Sequence, residues 1–222
     1  MGNRGAKDAL YAALASVAKA LGNGHRAELV DVLSQGERRV EELAHEIGQS
    51  VANTSQHLQQ HLRTGLVHTR REGTRVYYSL ASGQVAELWR AMRSLAEEHV
   101  HQLDELAAAY IGDRTELASI SRAELLARLR AGDVVVIDVR PLAEYRAGHL
   151  PDAVSVPPDE LAERLRALPA GREVVAYCRG PFCVYADDAV RALNGTGRRA
   201  ARLEDGFPEW LAAGLPTAGV SS

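Results

Sequence analysis

The chain has 222 residues, 46% apolar and 25% charged, the proportions of a water-soluble globular protein with room for one large domain or two of ordinary size. No apolar run approaches the ~20 residues needed to span a bilayer, and no apolar leader follows Met1, so neither membrane insertion nor export is expected. The net charge of -3 does not by itself point to a polyanion partner, and the two cysteines, Cys178 and Cys183, exclude a disulfide framework and fit a reducing, cytoplasmic setting.

Met1–Asp8 is expected to be an irregular start. Leu10, Leu14, Val17 and Leu21 then recur every three or four residues, an amphipathic helix broken by Gly22-Asn23-Gly24. A second helix is predicted near His25–Leu33, and Val40, Leu43, Ala44 and Ile47 give a third that Gly48 stops. Ser50 is an N-cap for a fourth helix. In that helix Val51, Ser55, Leu58 and Leu62 share a face, while Asn53, Gln56, His57 and Gln60 point the other way. Two short helices, a tight turn and a polar face of this kind suggest helix-turn-helix, since Asn and Gln suit the edges of adenine in the major groove. A solvated helix face is the bland alternative for the polar residues alone.

The segment after this helix changes the balance. Leu66–Arg71 and Arg75–Leu80 read as two strands around a Glu72-Gly73-Thr74 turn, with Val76, Tyr78 and Leu80 inward. From Val51 to Tyr78, Arg63, Arg70, Arg71 and Arg75 stand against the single acid Glu72, a local net charge of +3. That is a basic wing placed for phosphates. Val40-Glu41-Glu42-Leu43-Ala44, Asn53-Thr54-Ser55-Gln56-His57-Leu58, Gly65-Leu66-Val67 and Arg71-Glu72-Gly73-Thr74-Arg75-Val76-Tyr77-Tyr78 resemble the ArsR/SmtB family of winged-helix repressors over roughly 8–100. The resemblance implies a homodimer that binds a double-stranded DNA operator and lets go on a chemical signal. Its DNA-facing residues here would be Ser50, Asn53, Gln56, His57, Gln60, Arg63, Arg70, Arg71 and Arg75.

Gly83–Tyr110 is expected as one long helix. Val85, Leu88, Met92, Leu95, His99, Leu103, Leu106 and Tyr110 step by three or four like a coiled-coil seam, suited to a dimer interface. A polar linker, 111–120, separates a winged-helix domain, 1–110, from a second domain, 121–222. There Ser121 opens a helix to Arg130 as a capping box with Glu124. Strands are predicted at Val134–Val139, Glu173–Tyr177 and Ala200–Leu203, with helices at Asp159–Leu168 and after Val184. Alternating strand and helix imply an α/β fold with a mainly parallel sheet.

Cys178 closes the apolar strand Val174–Tyr177 and opens the loop Cys178-Arg179-Gly180-Pro181-Phe182-Cys183, ahead of the helix. A thiolate there faces backbone N–H groups and a helix N-terminus, with Arg179 beside it: a nucleophilic sulfur for anionic substrates. Cysteine phosphatases and related arsenate reductases need an arginine six positions on, where this chain has Val184. The shorter loop, with Ile137-Asp138-Val139-Arg140, Glu144-Tyr145 and Gly148-His149-Leu150-Pro151 before it and Glu204-Asp205-Gly206-Phe207-Pro208-Glu209-Trp210 and Ala213-Gly214-Leu215-Pro216 after it, resembles the rhodaneses over roughly 115–218. That resemblance implies a sulfurtransferase that carries sulfane sulfur as a persulfide on Cys178, taken from a small donor and passed to a thiol acceptor, with no cofactor. Arg179, Gly180, Phe182, Cys183 and Val184 would line the substrate. Arg140 is weighed between contacting the donor and pairing structurally with Asp138, the latter preferred. Cys183 departs from the common pattern. It is either a small packed residue or a second reactive thiol.

No metal site is expected. The third helix lacks the thiol pair of metal-sensing relatives. His99 and His101, two apart, fall on different helix faces, and His99 is expected to pack in the seam. The combined expectation is a homodimeric, sulfur-responsive transcriptional regulator. The alternatives are an enzyme that keeps the winged helix for dimerisation or autoregulation, and a pure DNA-binding protein with a passive ligand pocket.

Overall fold

The structure, a computed structural model, describes residues 2–169 and 171–219. It divides into two compact units, Met1–His99 and Val100–Ser222. The first contains α1 (Arg4–Leu21), α2 (Gly24–Leu33), β1 (Arg38–Arg39), α3 (Val40–Glu46), α4 (Val51–Arg63), β2 (Val67–Glu72), β3 (Arg75–Leu80) and α5 (Gly83–His99). The irregular start expected over Met1–Asp8 is helical from Arg4, because the Asn3 side chain accepts from the Ala6 N–H and caps the helix. Asn23 caps α2 in the same way, and Ser50 caps α4 by accepting from the Asn53 N–H at 3.2 Å. Between α3 and α4 the chain turns at Gly48, whose φ of +61° a side chain would disfavour.

The three strands order β1-β3-β2, all antiparallel, and Gly73 at φ +59° turns the β2–β3 hairpin. Leu29, Leu33, Leu43, Leu58, Val67 and Tyr78 make the core beneath α4. The buried face of α4 is Thr54, Leu58 and His61, not the predicted face through Val51, which is 45% exposed. Thr54 Oγ1 donates back to the Ser50 carbonyl and His61 Nε2 pairs with the Arg26 carbonyl, so both of these polar side chains bury.

The long helix expected over Gly83–Tyr110 is two helices, α5 and α6 (Leu103–Ile111). A turn closed by the Leu103 N–H on the Val100 carbonyl at 2.8 Å divides them. The apolar spacing runs on through that turn, so periodicity alone does not reveal it. His99 is exposed rather than packed, as are Leu95, Leu106 and Tyr110.

The second unit continues with β4 (Ser119–Ile120), α7 (Arg122–Ala131), β5 (Val134–Asp138), α8 (Leu142–Ala147), β6 (Val154–Ser155), a 3-10 turn at Pro158–Glu160, α9 (Leu161–Ala167), β7 (Glu173–Tyr177), α10 (Tyr185–Gly195), β8 (Ala200–Leu203) and α11 (Phe207–Ala212). Its five strands run parallel in the order β4-β8-β7-β5-β6. Alternation sends Val135, Ile137, Val174, Ala176 and Cys178 to the face covered by α9 and α10. Val134, Val136, Val175 and Tyr177 go to the face that holds Leu125, Leu150 and Trp210. After β6 the chain crosses back over β5 to reach β7, so strand order reverses between β5 and β7. Crevices at the carboxyl ends of such strands are where open α/β sheets bind ligands.

Candidate functional site

Cys178 lies at that reversal, at the carboxyl end of β7 and 3% exposed. The loop after it is short and closed on itself: the Cys183 N–H donates to the Gly180 carbonyl at 3.1 Å, and the sulfurs of Cys178 and Cys183 are bonded, their Cα atoms 6.2 Å apart. Cys183 thus meets Cys178 and also packs against the core of this face. Phe182, Cys183 and Val184 are half-buried. Val184 is the N-cap of α10 and offers no side-chain acceptor to the first N–H groups of this helix.

Three contacts hold the loop. From one side the Phe207 N–H donates to the Cys178 carbonyl at 3.0 Å. Gly206 there lies so close that a Cβ would sit 2.3 Å from the Arg179–Gly180 peptide, which is why the Glu204–Trp210 motif has glycine at this point. Arg179 turns to Glu144, donating through Nε to Oε1 at 3.0 Å and to Oε2 at 3.1 Å. Glu144 is fully buried, so the Arg179 guanidinium expected against the substrate is paired into the framework.

The third contact comes from Arg114, in the stretch expected to be a bare linker. Its Nε donates to Asp187 Oδ2 at 2.6 Å, one terminal nitrogen to the Pro181 carbonyl at 2.7 Å and the other to the Cys183 carbonyl at 3.2 Å. Asp187 is fully buried in the first turn of α10, with Arg202 3.8 Å away on its other oxygen. One guanidinium thus ties both loop carbonyls to the helix. Nothing in the spacing of Asp113-Arg114-Thr115 announces it.

Arg140 does not reach the loop's mouth. It is fully buried, donates to Asp138 Oδ2 at 2.6 Å and to the Gly148 carbonyl at 2.7 Å, and lies 4.2 Å from the Phe207 ring centre. Burial alone would lower its pKa, but Asp138 more than offsets this and holds it above the ordinary arginine range. The substrate-contact assignment gives way to the structural one. Burial, then the Asp138 charge, raises the Tyr177 hydroxyl, which donates to Asp138.

The other candidate surface is on the first unit. Asn53, Gln56 and Arg63 are exposed along α4, and His57 and Gln60 are half-buried. Gln56, His57 and Gln60 also line a cleft of about 530 Å³ with Ser16, Lys19 and Arg26, residues of α1 and α2 that extend the polar surface. Burial, then Arg26 and His25, lowers the His57 pKa. On the wing Arg71 and Arg75 are exposed. Arg70 is already paired, with Glu37 at 2.6 Å and Glu72 at 3.0 Å, and lies over Tyr77. Glu37 stands before β1, far in sequence, so a local charge count misses it. Among the described residues, no group of three or more His, Cys, Asp or Glu side chains converges as metal ligands.

Comparison with known proteins divides the chain in the same way. The family described as bacterial regulatory protein, arsR family, matches residues 23–69, and the rhodanese-like domain family matches 121–213. The HTH-type transcriptional regulator Rv0324 of Mycobacterium tuberculosis is 47% identical over 210 residues, 95% of this chain and 92% of its own length. A sulfurtransferase of Allochromatium vinosum is 36% identical over 84 residues, 38% of this chain and 78% of its own. The solution structure of the homodimeric winged helix-turn-helix domain of Mb0332 from Mycobacterium bovis, a possible ArsR-family regulator, is 42% identical, covers 46% of this chain and 94% of its own, and aligns with a TM-score of 0.42.

Proposed function

Because the chain belongs to the ArsR family of transcriptional regulators and joins its winged helix to a rhodanese-like domain, we propose that it is a homodimeric DNA-binding regulator that responds to sulfane sulfur through Cys178. The observation that carries this is the placement of Cys178: the end of the central strand, beneath a loop and a helix whose uncapped N–H groups favour an anionic sulfur. The thiolate attacks the outer sulfur of a donor such as thiosulfate. The donor's S–S bond breaks, Cys178 becomes a persulfide, and sulfite leaves with the electron pair. A thiol acceptor then removes the sulfur.

On the DNA side, Asn53 and Gln56 supply base-reading side chains, with Ser50, His57 and Gln60 flanking them, and Arg63, Arg71 and Arg75 supply phosphate contacts. The exposed Leu10, Tyr11 and Leu14 of α1, with Leu88 and Leu95 of α5, offer apolar surface for a second copy of the chain. The test of the sulfur reading is intact mass after incubation of reduced protein with thiosulfate. Gain of one sulfur atom is expected, either retained or passed on as sulfide, and Cys178→Ser should show neither. A wild-type protein that neither takes up sulfur nor releases it, across several donors, contradicts it.

A further inference from the structure

We propose that Cys183 is the resolving thiol of this loop: it attacks the Cys178 persulfide, expels the sulfane sulfur as hydrogen sulfide, and leaves the Cys178–Cys183 bridge. This rests on the reading that Cys178 accepts sulfur, and it adds an activity, the thiol-driven reduction of sulfane sulfur to sulfide. The chain has no other cysteine. The two present are five residues apart with their sulfurs bonded, and their Cα separation of 6.2 Å lies within the ordinary disulfide range.

Their meeting is built by the loop. The turn from Cys183 N–H to the Gly180 carbonyl folds the chain back over Cys178. Arg114, fixed on the buried Asp187, pins the carbonyls of Pro181 and Cys183, which sets where the Cys183 side chain leaves the backbone.

The step balances. The Cys183 thiolate attacks Cys178 Sγ, the inner sulfur of the persulfide. The bond from Sγ to the outer sulfur breaks, and the outer sulfur leaves with the electron pair as hydrosulfide, taking up the proton Cys183 gave up. The sulfane sulfur gains two electrons, and the two cysteine sulfurs lose one each in forming their bond. Attack on the outer sulfur would only move the persulfide to Cys183 and release nothing. The bond between the two Sγ atoms matches attack on the inner one. In the bridged form Cys178 is 3% exposed while Cys183 is half-buried, so a low-molecular-weight thiol reaches Cys183 first and frees Cys178 as the leaving thiolate. A second such thiol restores the dithiol.

The experiment uses full-length protein, reduced and desalted, under anaerobic conditions so that oxygen does not form the bridge. Thiosulfate is added, and intact mass and trapped sulfide are followed together. Wild type should gain one sulfur atom transiently, then end two hydrogens lighter than it began, with one sulfide released per chain. Cys183→Ser should keep the sulfur it gains and release no sulfide, whatever its rate of loading. Cys183→Ala should behave alike, and the loading of either variant shows that its site is folded. Wild type that keeps its added sulfur as the variants do, or that forms the bridge without releasing sulfide, overturns the proposal. If neither wild type nor variant takes up sulfur or releases sulfide, the assignment of Cys178 fails instead, and this proposal with it.

Discussion

On α4 and the wing, Gln56, Arg71 and Arg75 extend into solvent from a frame that packs only behind them. Around Cys178 the charged side chains are tied down: Asp138 to Arg140, Glu144 to Arg179, and Asp187 to Arg114. A surface that reads a duplex keeps its donors free until the phosphates and base edges arrive. A loop that holds a developing anion needs its backbone N–H groups fixed in advance, and buried ion pairs fix them. Substitutions should therefore cost stability in the second unit and affinity in the first.

The hardest test of that contrast is Asp138→Ala. It removes the partner of a fully buried guanidinium and the acceptor of the Tyr177 hydroxyl. Leaving such a charge uncompensated costs about 3–5 kcal/mol. Chemical denaturation should show the second unit losing most of its stability while the winged helix unfolds where it did. A loss below about 1 kcal/mol would mean that the network is ornamental.

Arg114→Ala should cost less, about 2 kcal/mol, because Arg202 still faces Asp187. Its distinctive effect is on the loop: sulfur loading of Cys178 should slow at protein concentrations and temperatures where the fold is intact. Unchanged loading kinetics would assign Arg114 to stability alone.

On the DNA side, Gln56→Ala should lose about 1–3 kcal/mol of discrimination between cognate and scrambled duplex with little change in stability. Arg71→Ala and Arg75→Ala should weaken binding to any sequence and each reduce the salt slope by about 1. Arg70→Ala should do less than either, since Glu37 and Glu72 already neutralise it. Equal effects from all three arginines would show that the Glu37 pair opens on DNA.

The smallest effect concerns pH. His61 is fully buried, its Nε2–H given to the Arg26 carbonyl, with no partner for Nδ1 among the described residues. Burial lowers its pKa below the ordinary histidine value. Between the lowered folded value and ~6.5 the unfolded chain binds more protons, so stability falls as pH drops through that window. The slope from one such group is at most about 1.4 kcal/mol per pH unit. It should shrink in His61→Gln to what His57, whose pKa burial also lowers, leaves behind. A wild type whose first unit keeps its full stability to pH 5 would contradict the buried neutral state.

How much of this was legible in the sequence divides along the same line. Caps, turns and strand alternation are local, and Ser50, Gly73 and the run Val174–Tyr177 announced their elements. So did the loop with its two cysteines. The pairs that discipline the sites are not local: Arg114 meets Asp187 and Glu37 meets Arg70 only after folding. The residue spacing across the Val100–Gln102 turn suits one helix, and only the backbone shows two. Thr54 and His61 bury because each finds a carbonyl, which no hydropathy pattern reports.

The central claim is that sulfur on Cys178 changes the hold on DNA. Its direct measurement is the affinity of the full-length dimer for a duplex selected from a random pool, by fluorescence anisotropy, before and after a sulfane-sulfur donor. Coupling of this kind is typically 1–3 kcal/mol, so affinity should change by about 5- to 150-fold, and Cys178→Ser should show no change. Unaltered affinity in a wild-type protein whose mass shows the sulfur, or the bridge it leaves, would contradict the account.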